Sequence, residues 1–288
     1  MVEIEGTGFG RYLEGTVVSS EGISQFQALI YDYYKAHRRV LAWRYCDNPY
    51  YVIVSEIMLQ QTQVDRVINK YEQFIAAFPT LEQLANARIS DVIAVWQGLG
   101  YNRRALSLQL LARRVYEEYG GEIPQDPELL TTFKGIGKAT AASICAFAFN
   151  SPTIFIETNI RSVYIHCFFS GASEVKDNDI LPVVEQTVDL NDPRSWYYAL
   201  MDYGVMLKKK HKNPSRKSAH YVVQSRFEGS DRQVRGLILK LLLERQIMAE
   251  DEFFACIERD PERISLILAA LCKEGFIVEN KGFYRLVS

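Results

Sequence analysis

Two glycines, two lysines and a carboxylate have the types and spacing to handle a phosphate backbone. Gly135 and Gly137 flank one aliphatic residue between helical patterns, with Lys134 and Lys138 on either side. Glycine can adopt the backbone angles of a tight interhelical turn and leaves the amides uncovered. Those amides and the start of the next helix suit a phosphate oxygen, although such a pair can also be a plain turn. Glu157 follows after a helix-length interval, and this favours an enzyme that acts on nucleic acid.

A second acidic residue, Glu56, lies upstream in the segment 54–63, which reads VSEIMLQQTQ. Val54, Ile57 and Met58 surround it in the sequence. Desolvation by these apolar neighbours is expected to raise the pKa of Glu56 and keep it protonated near neutral pH. The alternative is an exposed helix glutamate without a chemical role.

Composition limits where the chain works and what it binds. Hydrophobic residues make up 48% and charged residues 24%, which is typical of a soluble globular protein. Because the formal net charge is −2, DNA binding would need positive charge concentrated locally. The five scattered cysteines favour reduced thiols, and their spacing predicts neither a zinc site nor an iron–sulfur cluster. With no signal peptide or membrane-spanning run, we expect a cytoplasmic monomer, on the nucleoid when it binds DNA.

The elements that must position the two acids are helical. After a lead-in over residues 1–21, to which no chemistry is assigned, apolar residues recur at helical spacing up to residue 207. Pro, Gly or a capping Ser or Thr bounds most of the segments. Residues 22–207 are therefore predicted to form one all-helical domain with short connections.

The most basic segment follows that domain. Residues 208–217 contain six Lys or Arg, and they begin a predicted linker over residues 208–229. Two interpretations stay open: a solvated linker, or an arm that contacts phosphates through Lys208, Lys209 and Lys210.

The C-terminal residues 230–288 predict three helices and a terminal hairpin, which is the pattern of a winged-helix-like α+β domain. They hold nine Lys or Arg against ten Asp or Glu. This balance favours docking to a protein partner over reading bases.

From about residue 26 to 207 the sequence resembles the helix-hairpin-helix DNA glycosylases, and most closely the MutY-type adenine glycosylases. Short segments carry this resemblance, of which the run from Ser55 to Val64 is the most specific; the others are Trp43-Arg44, Pro49-Tyr50, Trp96 with Gly98-Leu99-Gly100-Tyr101, Gly135-Ile136-Gly137 and Met201-Asp202-Tyr203-Gly204. The resemblance implies a mainly α, two-lobed glycosylase domain that binds double-stranded DNA containing a mismatched or damaged base.

The resemblance also assigns roles to the two acids. Breaking an N-glycosidic bond leaves positive charge on the sugar and negative charge on the departing base. Glu56 would protonate a ring nitrogen of adenine, and ionised Glu157 would stabilise the sugar. Further residues take roles from the family: Trp43 and Arg44 in the base pocket, Asn159 beside Glu157, Gln61 and Tyr101 as wedges in the base stack, and Thr62 and Leu99 against the opposite base, expected to be 8-oxoguanine. Plain core packing is the alternative for Tyr101.

Four departures from the family pattern affect the expected activity. Glu157 stands where the family has aspartate, and one extra methylene moves a charge by roughly 1.5 Å. Ala139 offers no amine in the base pocket, so we expect a monofunctional glycosylase without strand cleavage. The four-cysteine cluster loop is missing, and no cofactor is expected. A winged helix replaces the domain that checks for 8-oxoguanine.

Three functions are compatible with these residues. The leading hypothesis is a base-excision repair glycosylase that removes adenine mispaired with 8-oxoguanine or guanine. A second is a glycosylase with the same mechanism that acts on another damaged or modified base. A third is a catalytically weak protein that binds mismatched or damaged DNA and recruits a partner through residues 230–288.

Overall fold

The protein is mainly helical, as predicted. A computed structural model describes residues 8–46, 48–223 and 226–287, so residues 1–7 of the lead-in, residue 47, residues 224 and 225 of the predicted linker, and residue 288 lie outside it. Helices α1 to α11 are Ser20–His37, Pro49–Leu59, Val64–Ala77, Leu81–Asn86, Ile89–Trp96, Arg103–Glu118, Pro127–Leu130, Lys138–Phe149, Thr158–Phe168, Asp177–Thr187 and Pro193–Lys210. Two short strands, β1 (Leu13–Glu14) and β2 (Val17–Val18), pair before α1. No helix in the described part of the chain is long and apolar enough to cross a bilayer.

The described residues divide into two compact units that do not follow the predicted domain boundaries. The first contains the described residues up to Val52, with Gln125–Thr131 and Ile136–Val223. The second contains Ile53–Pro124, Thr132–Gly135 and residues 226–287. The chain therefore passes between the units several times inside the predicted domain 22–207.

Aromatic side chains fill the core of the first unit. Phe26 of α1 lies 5.4 Å from Tyr164, 4.9 Å from Phe168 and 5.7 Å from Trp196, measured between ring centroids. These residues bring α1, α9 and α11 together. Helix α11 begins with Asp192 as its cap and proline at its first position, as helix starts often do.

In the second unit, α6 packs on α4 and α5, and α3 packs on α5. Trp96 is fully buried at the end of α5, with its ring 5.9 Å from that of Phe74 in an edge-on contact. The indole Nε1 donates to the carbonyl of Gly100 at 3.1 Å. This bond ties the core of the unit to the turn that leads into α6.

The C-terminal module, residues 226–287, belongs to this second unit and has winged-helix topology. Its elements are α12 (Asp231–Arg245), β3 (Ile247–Ala249), α13 (Glu250–Cys256), α14 (Pro261–Glu274), β4 (Ile277–Asn280) and β5 (Phe283–Leu286). Strand β5 lies between β3 and β4, antiparallel to both. Lys281 and Gly282 both have positive φ, as a two-residue hairpin turn requires. The hairpin was predicted, but β3 was not, because three residues are too short to show alternation.

Much of the predicted linker 208–229 is structured, which corrects that interpretation. Helix α11 continues through Lys210, and a short 3₁₀ turn covers Pro214–Lys217. Pro214 and Ser215 are buried, and Ser218 pairs with Val175 in a β-bridge. Asn213 caps this turn by accepting a hydrogen bond from the backbone N–H of Ser215, and Pro214 is the first residue of the turn.

Candidate active site and nucleic-acid interface

Glu157 caps the N-terminus of α9 in the first unit. Its Oε1 accepts hydrogen bonds from the backbone N–H groups of Asn159 (2.7 Å) and Ile160 (2.8 Å), and Oε2 accepts from the Asn159 side-chain amide (3.1 Å). The positive end of the helix dipole favours a negative charge at this position. The glutamate thus makes the capping contacts that a shorter aspartate usually makes. The result is a half-buried carboxylate held in one place.

Lys208 is bonded to Asn159, the residue whose side chain also contacts Glu157. Its Nζ donates to Oδ1 of Asn159 at 2.8 Å, so the asparagine amide bridges the carboxylate of Glu157 and the ammonium group. Burial lowers the pKa of Lys208, and the charge of Glu157 acts in the opposite direction. The predicted phosphate contact therefore fits Lys209 and Lys210, which are exposed, better than Lys208, which is half-buried.

Gly204 allows α11 to approach Glu157 and its partners. A Cβ atom at Gly204 would lie only 2.5 Å from the backbone oxygen of Asn159. Any side chain there would push α11 away from the start of α9, because backbone cannot yield as a flexible side chain can. This glycine positions α11 against the start of α9. It was not among the predicted site residues, although it belongs to the segment Met201-Asp202-Tyr203-Gly204.

The predicted pocket residues Trp43 and Arg44 are buried in the first unit, with 4% and 8% of their surfaces exposed. Arg44 donates to both oxygens of Asp202, at 2.8 and 2.9 Å, and Arg39 also pairs with that carboxylate. Burial would raise the pKa of Asp202, but the two arginines lower it below its ordinary value. The Arg44 guanidinium also lies over the ring of Tyr198. The structure therefore gives Arg44 a structural ion pair, and its pocket role stays a prediction.

Glu56 lies near the C-terminal end of α2, in the second unit. It is half-buried, between the buried residues Ser55 and Ile57. The last carbonyls of a helix lack partners within the helix and need donors from elsewhere. Here Arg104 supplies them, because its NH1 group donates to the carbonyls of Ile57 (3.0 Å) and Met58 (2.8 Å).

Arg104 connects this helix end to two strained turns. Gln61 and Tyr101, the two predicted wedges, have left-handed backbones with φ of 54° and 50°. Non-glycine residues rarely adopt that conformation, and such strain persists where surrounding contacts enforce it. Arg104 donates to the carbonyl of Gln60, to the Thr62 hydroxyl (3.0 Å) and to the carbonyl of Gly100 (3.1 Å).

One buried guanidinium thus holds both wedge turns, which we call the Gln61 turn (residues 60–62) and the Tyr101 turn (residues 98–101). Burial lowers the pKa of Arg104 to about 10, so it stays protonated at neutral pH. Sequence reasoning missed Arg104. Its position, five residues after Leu99 in a glycine-rich turn, gives no signal of contacts with residues more than forty positions away.

Leu99 differs from its predicted position against the opposite base. Its side chain is only 2% exposed, because Gly98 and Gly100 on either side both have positive φ and turn the leucine inward. Thr62 is half-buried, and its hydroxyl accepts the bond from Arg104. Both residues stabilise the Tyr101 and Gln61 turns in this structure.

Gly135 and Gly137 of the glycine hairpin are both exposed. Gly135 has a φ of +88°, and a Cβ there would lie 2.9 Å from the Ser107 side chain. Gly137 has an ordinary φ of −90° and open space around it, just before Lys138 begins α8. Only Gly135 therefore needs the glycine backbone, whereas Gly137 keeps the helix start accessible. Lys138 and Ala139 are both exposed in the first turn of that helix.

The hairpin is also bonded to the segment that carries Glu56. The side-chain amide of Gln60 donates to the carbonyl of Gly135 at 3.2 Å. Arg114 donates to the backbone and side chain of Thr132 and lies 4.5 Å from the ring of Phe133. Gly135 and the Gln61 turn are therefore bonded to each other within the second unit.

The cysteines do not fit an iron–sulfur cluster. A four-iron cluster needs four thiolates close together, and the sequence from 208 to 229 contains none. Among the described residues, no three His, Cys, Asp or Glu side chains are grouped as metal ligands. The basic segment in this position consists of a helix end and a buried turn.

The structure brings the predicted residues together in two groups. Glu157, Asn159 and Lys208 form one group. In the other, Arg104 bonds to the end of the Glu56 helix and to the two turns that contain Gln61, Thr62, Leu99 and Tyr101. The glutamates belong to different units. That both act on the same nucleotide stays a prediction.

The chain is similar in sequence to known DNA repair proteins. Residues 54–180 match the model of the "HhH-GPD superfamily base excision DNA repair protein". An adenine DNA glycosylase of Mycolicibacterium smegmatis is 31% identical over 231 residues, which cover 73% of this chain and 78% of that protein. One from Buchnera aphidicola is 31% identical over 183 residues, 63% of this chain, and the match spans about half (52%) of its length.

A solved structure shares the fold. A thermostable thymine-DNA glycosylase aligns with a TM-score of 0.59 and 24% identity, covering 68% of this chain and 91% of that chain. At that identity the likeness concerns the fold alone.

Proposed function

Because the chain belongs to the HhH-GPD superfamily of base excision DNA repair proteins, we propose that it is a DNA glycosylase. Its proposed substrate is adenine mispaired with 8-oxoguanine or guanine in double-stranded DNA. The observation that carries this proposal is the fixed carboxylate of Glu157, held by three N–H donors at the start of α9. We propose adenine as the base because the chain is similar to adenine DNA glycosylases.

The proposed reaction is hydrolysis of the bond between the sugar C1′ and the base. As the bond breaks, its electron pair leaves with the base, and Glu56 donates a proton to a ring nitrogen. The carboxylate of Glu157 stabilises the positive charge that develops on the sugar. Water then attacks C1′ and gives its proton to a carboxylate, which leaves an abasic site and free base.

The target nucleotide must leave the base stack before this reaction. Extrusion costs a few kcal/mol, and a side chain inserted in the gap offsets part of that cost. We assign this role to Gln61 and Tyr101, whose left-handed backbones are held through Arg104. The exposed amides of the hairpin and Lys138 would bind phosphate oxygens nearby.

We further propose that the enzyme is monofunctional and needs no cofactor. Strand cleavage requires an amine that forms a Schiff base with the opened sugar. The family's lyase position is occupied here by Ala139, an exposed methyl side chain. The abasic product should therefore keep its strand intact until alkali is added.

A panel of labelled duplexes tests these statements together. Each duplex carries one candidate, such as adenine opposite 8-oxoguanine, adenine opposite guanine, or a deaminated base, and is analysed with and without alkali. Cleavage only after alkali at the adenine duplexes is the expected result. Excision of another base would change the substrate, cleavage without alkali would refute the monofunctional reaction, and binding without any abasic product would select a recruiting protein.

A further inference from the structure

The C-terminal module contacts the Tyr101 turn. Arg232, at the start of α12, donates from NH1 to the hydroxyl of Tyr101, and its Cζ lies 5.2 Å from the centre of that ring. Arg104 lies 5.3 Å from the same ring. Two guanidinium groups, one from α6 and one from the module, therefore hold the aromatic side chain predicted to enter the base stack.

A second set of contacts fixes the module in this place. Glu274, the last residue of α14, accepts two bonds from Arg235 (3.0 and 2.6 Å) and two from Arg103 (2.8 and 2.7 Å). Burial would raise the pKa of Glu274, but the two arginines lower it to about 2. Arg103 lies two residues after Tyr101, so the module is attached directly beside the wedge.

We propose that the C-terminal module forms part of the DNA interface and that Arg232 contacts the DNA backbone next to the extruded nucleotide. The hydroxyl is the atom of Tyr101 farthest from the backbone, and an inserted tyrosine carries it to the nucleotides. Because Arg232 is within hydrogen-bond distance of that hydroxyl, its guanidinium group can reach the DNA that the tyrosine enters. Arginine suits phosphate there because its donors match two phosphate oxygens at once.

This placement changes the interpretation of the module's balanced charge. Much of its positive charge is paired, since Arg235 binds Glu274 and Arg263 binds Asp231. Net charge therefore does not describe its surface. Arg232 contacts the ring and hydroxyl of the wedge, so a module with no net positive charge can still place an arginine beside the residue proposed to enter the DNA.

The test measures duplex affinity against salt concentration for Arg232→Ala. Because the role rests on the proposed function, binding is measured without excision, on plain duplex and on duplex with adenine opposite 8-oxoguanine. One phosphate contact fewer should reduce the salt slope by about one and weaken binding about 5- to 10-fold near 0.1 M salt. Arg245→Ala removes an arginine from the other end of α12, where it pairs loosely with Glu252, and should leave both values unchanged.

One further variant, together with unfolding curves, separates a direct DNA contact from an effect on folding or on the position of Tyr101. Arg232→Lys keeps the charge and should keep the salt slope, while unfolding curves for all variants should match the wild type. An unchanged affinity and slope for Arg232→Ala would overturn the proposal, and tighter binding would also overturn it, since Arg232 would then restrain Tyr101. A wild type that excises nothing would refute the proposed function, whereas the effect of Arg232 on binding would still be measured.

Discussion

Replacing Arg104 by methionine tests whether the hydrogen bonds of this arginine stabilise the fold. Methionine keeps much of the buried volume but removes every N–H donor to the carbonyls of Ile57, Met58, Gln60 and Gly100 and to the Thr62 hydroxyl. A hydrogen bond to a charged group contributes about 1.5–3 kcal/mol, but the guanidinium was already desolvated on folding, so the five contributions do not add. A buried acceptor left without its donor costs about 1–3 kcal/mol, and several acceptors lose their donor here, so we expect a loss of about 3–5 kcal/mol of unfolding free energy.

Urea unfolding measures this loss, and amide hydrogen exchange shows where it arises. Exchange should become faster in residues 60–62 and 98–101, because Arg104 holds both turns. The matched control is Arg113→Met on the same helix, where an exposed arginine makes one long bond of 3.4 Å to the carbonyl of Ala85. It should cost less than about 0.5 kcal/mol. An Arg104→Met protein within 1 kcal/mol of this control would refute the assigned role.

Three further predictions concern the glycine hairpin, the basic segment and Glu274. Gly135→Ala forces a side chain onto a φ of +88° and should cost about 1–3 kcal/mol of stability. Gly137→Ala should fold normally and bind duplex more weakly. Equal unfolding curves for the two variants would contradict this difference. Lys208→Met should slow excision and leave the salt slope of binding unchanged, whereas Lys209→Met should lower that slope by about one; the opposite pattern would make Lys208 the phosphate contact. Glu274→Gln should remove a stabilisation of about 1–2 kcal/mol that is present at pH 7. Because the folded pKa of about 2 lies below the unfolded value, the wild type should lose this advantage as the pH falls from about 4.5 towards 2. A stability difference that persists at about pH 2 would argue against this contribution.

Local chemistry allowed much of the fold to be predicted from the sequence. Three helices and a terminal hairpin were predicted for residues 230–288, and the structure has them as α12, α13, α14 and the β4–β5 pair. The glycine hairpin could be predicted because positive φ at Gly135 is a property of one residue type.

The remaining features depend on contacts between distant residues. In the sequence, Lys208 is only the first residue of a basic run. In the structure, its ammonium group donates to the side chain of Asn159, forty-nine positions earlier. In the sequence, Arg232 is one of nine Lys or Arg among residues 230–288, which also hold ten Asp or Glu, and only the tertiary fold places it on Tyr101. Leu99 was predicted to face DNA, but its two glycine neighbours turn it into the core.

The most direct test of the account is the single-turnover rate of adenine excision by wild type, Glu56→Gln and Glu157→Gln on a duplex with adenine opposite 8-oxoguanine. Glutamine keeps an oxygen that can accept the capping bonds at Glu157, so folding and duplex affinity should be preserved. Each variant should form abasic product at least about 100-fold more slowly than the wild type, because one lacks the proton donor and the other the anion. Excision at the wild-type rate by either variant would contradict the central claim that these two glutamates carry out the reaction.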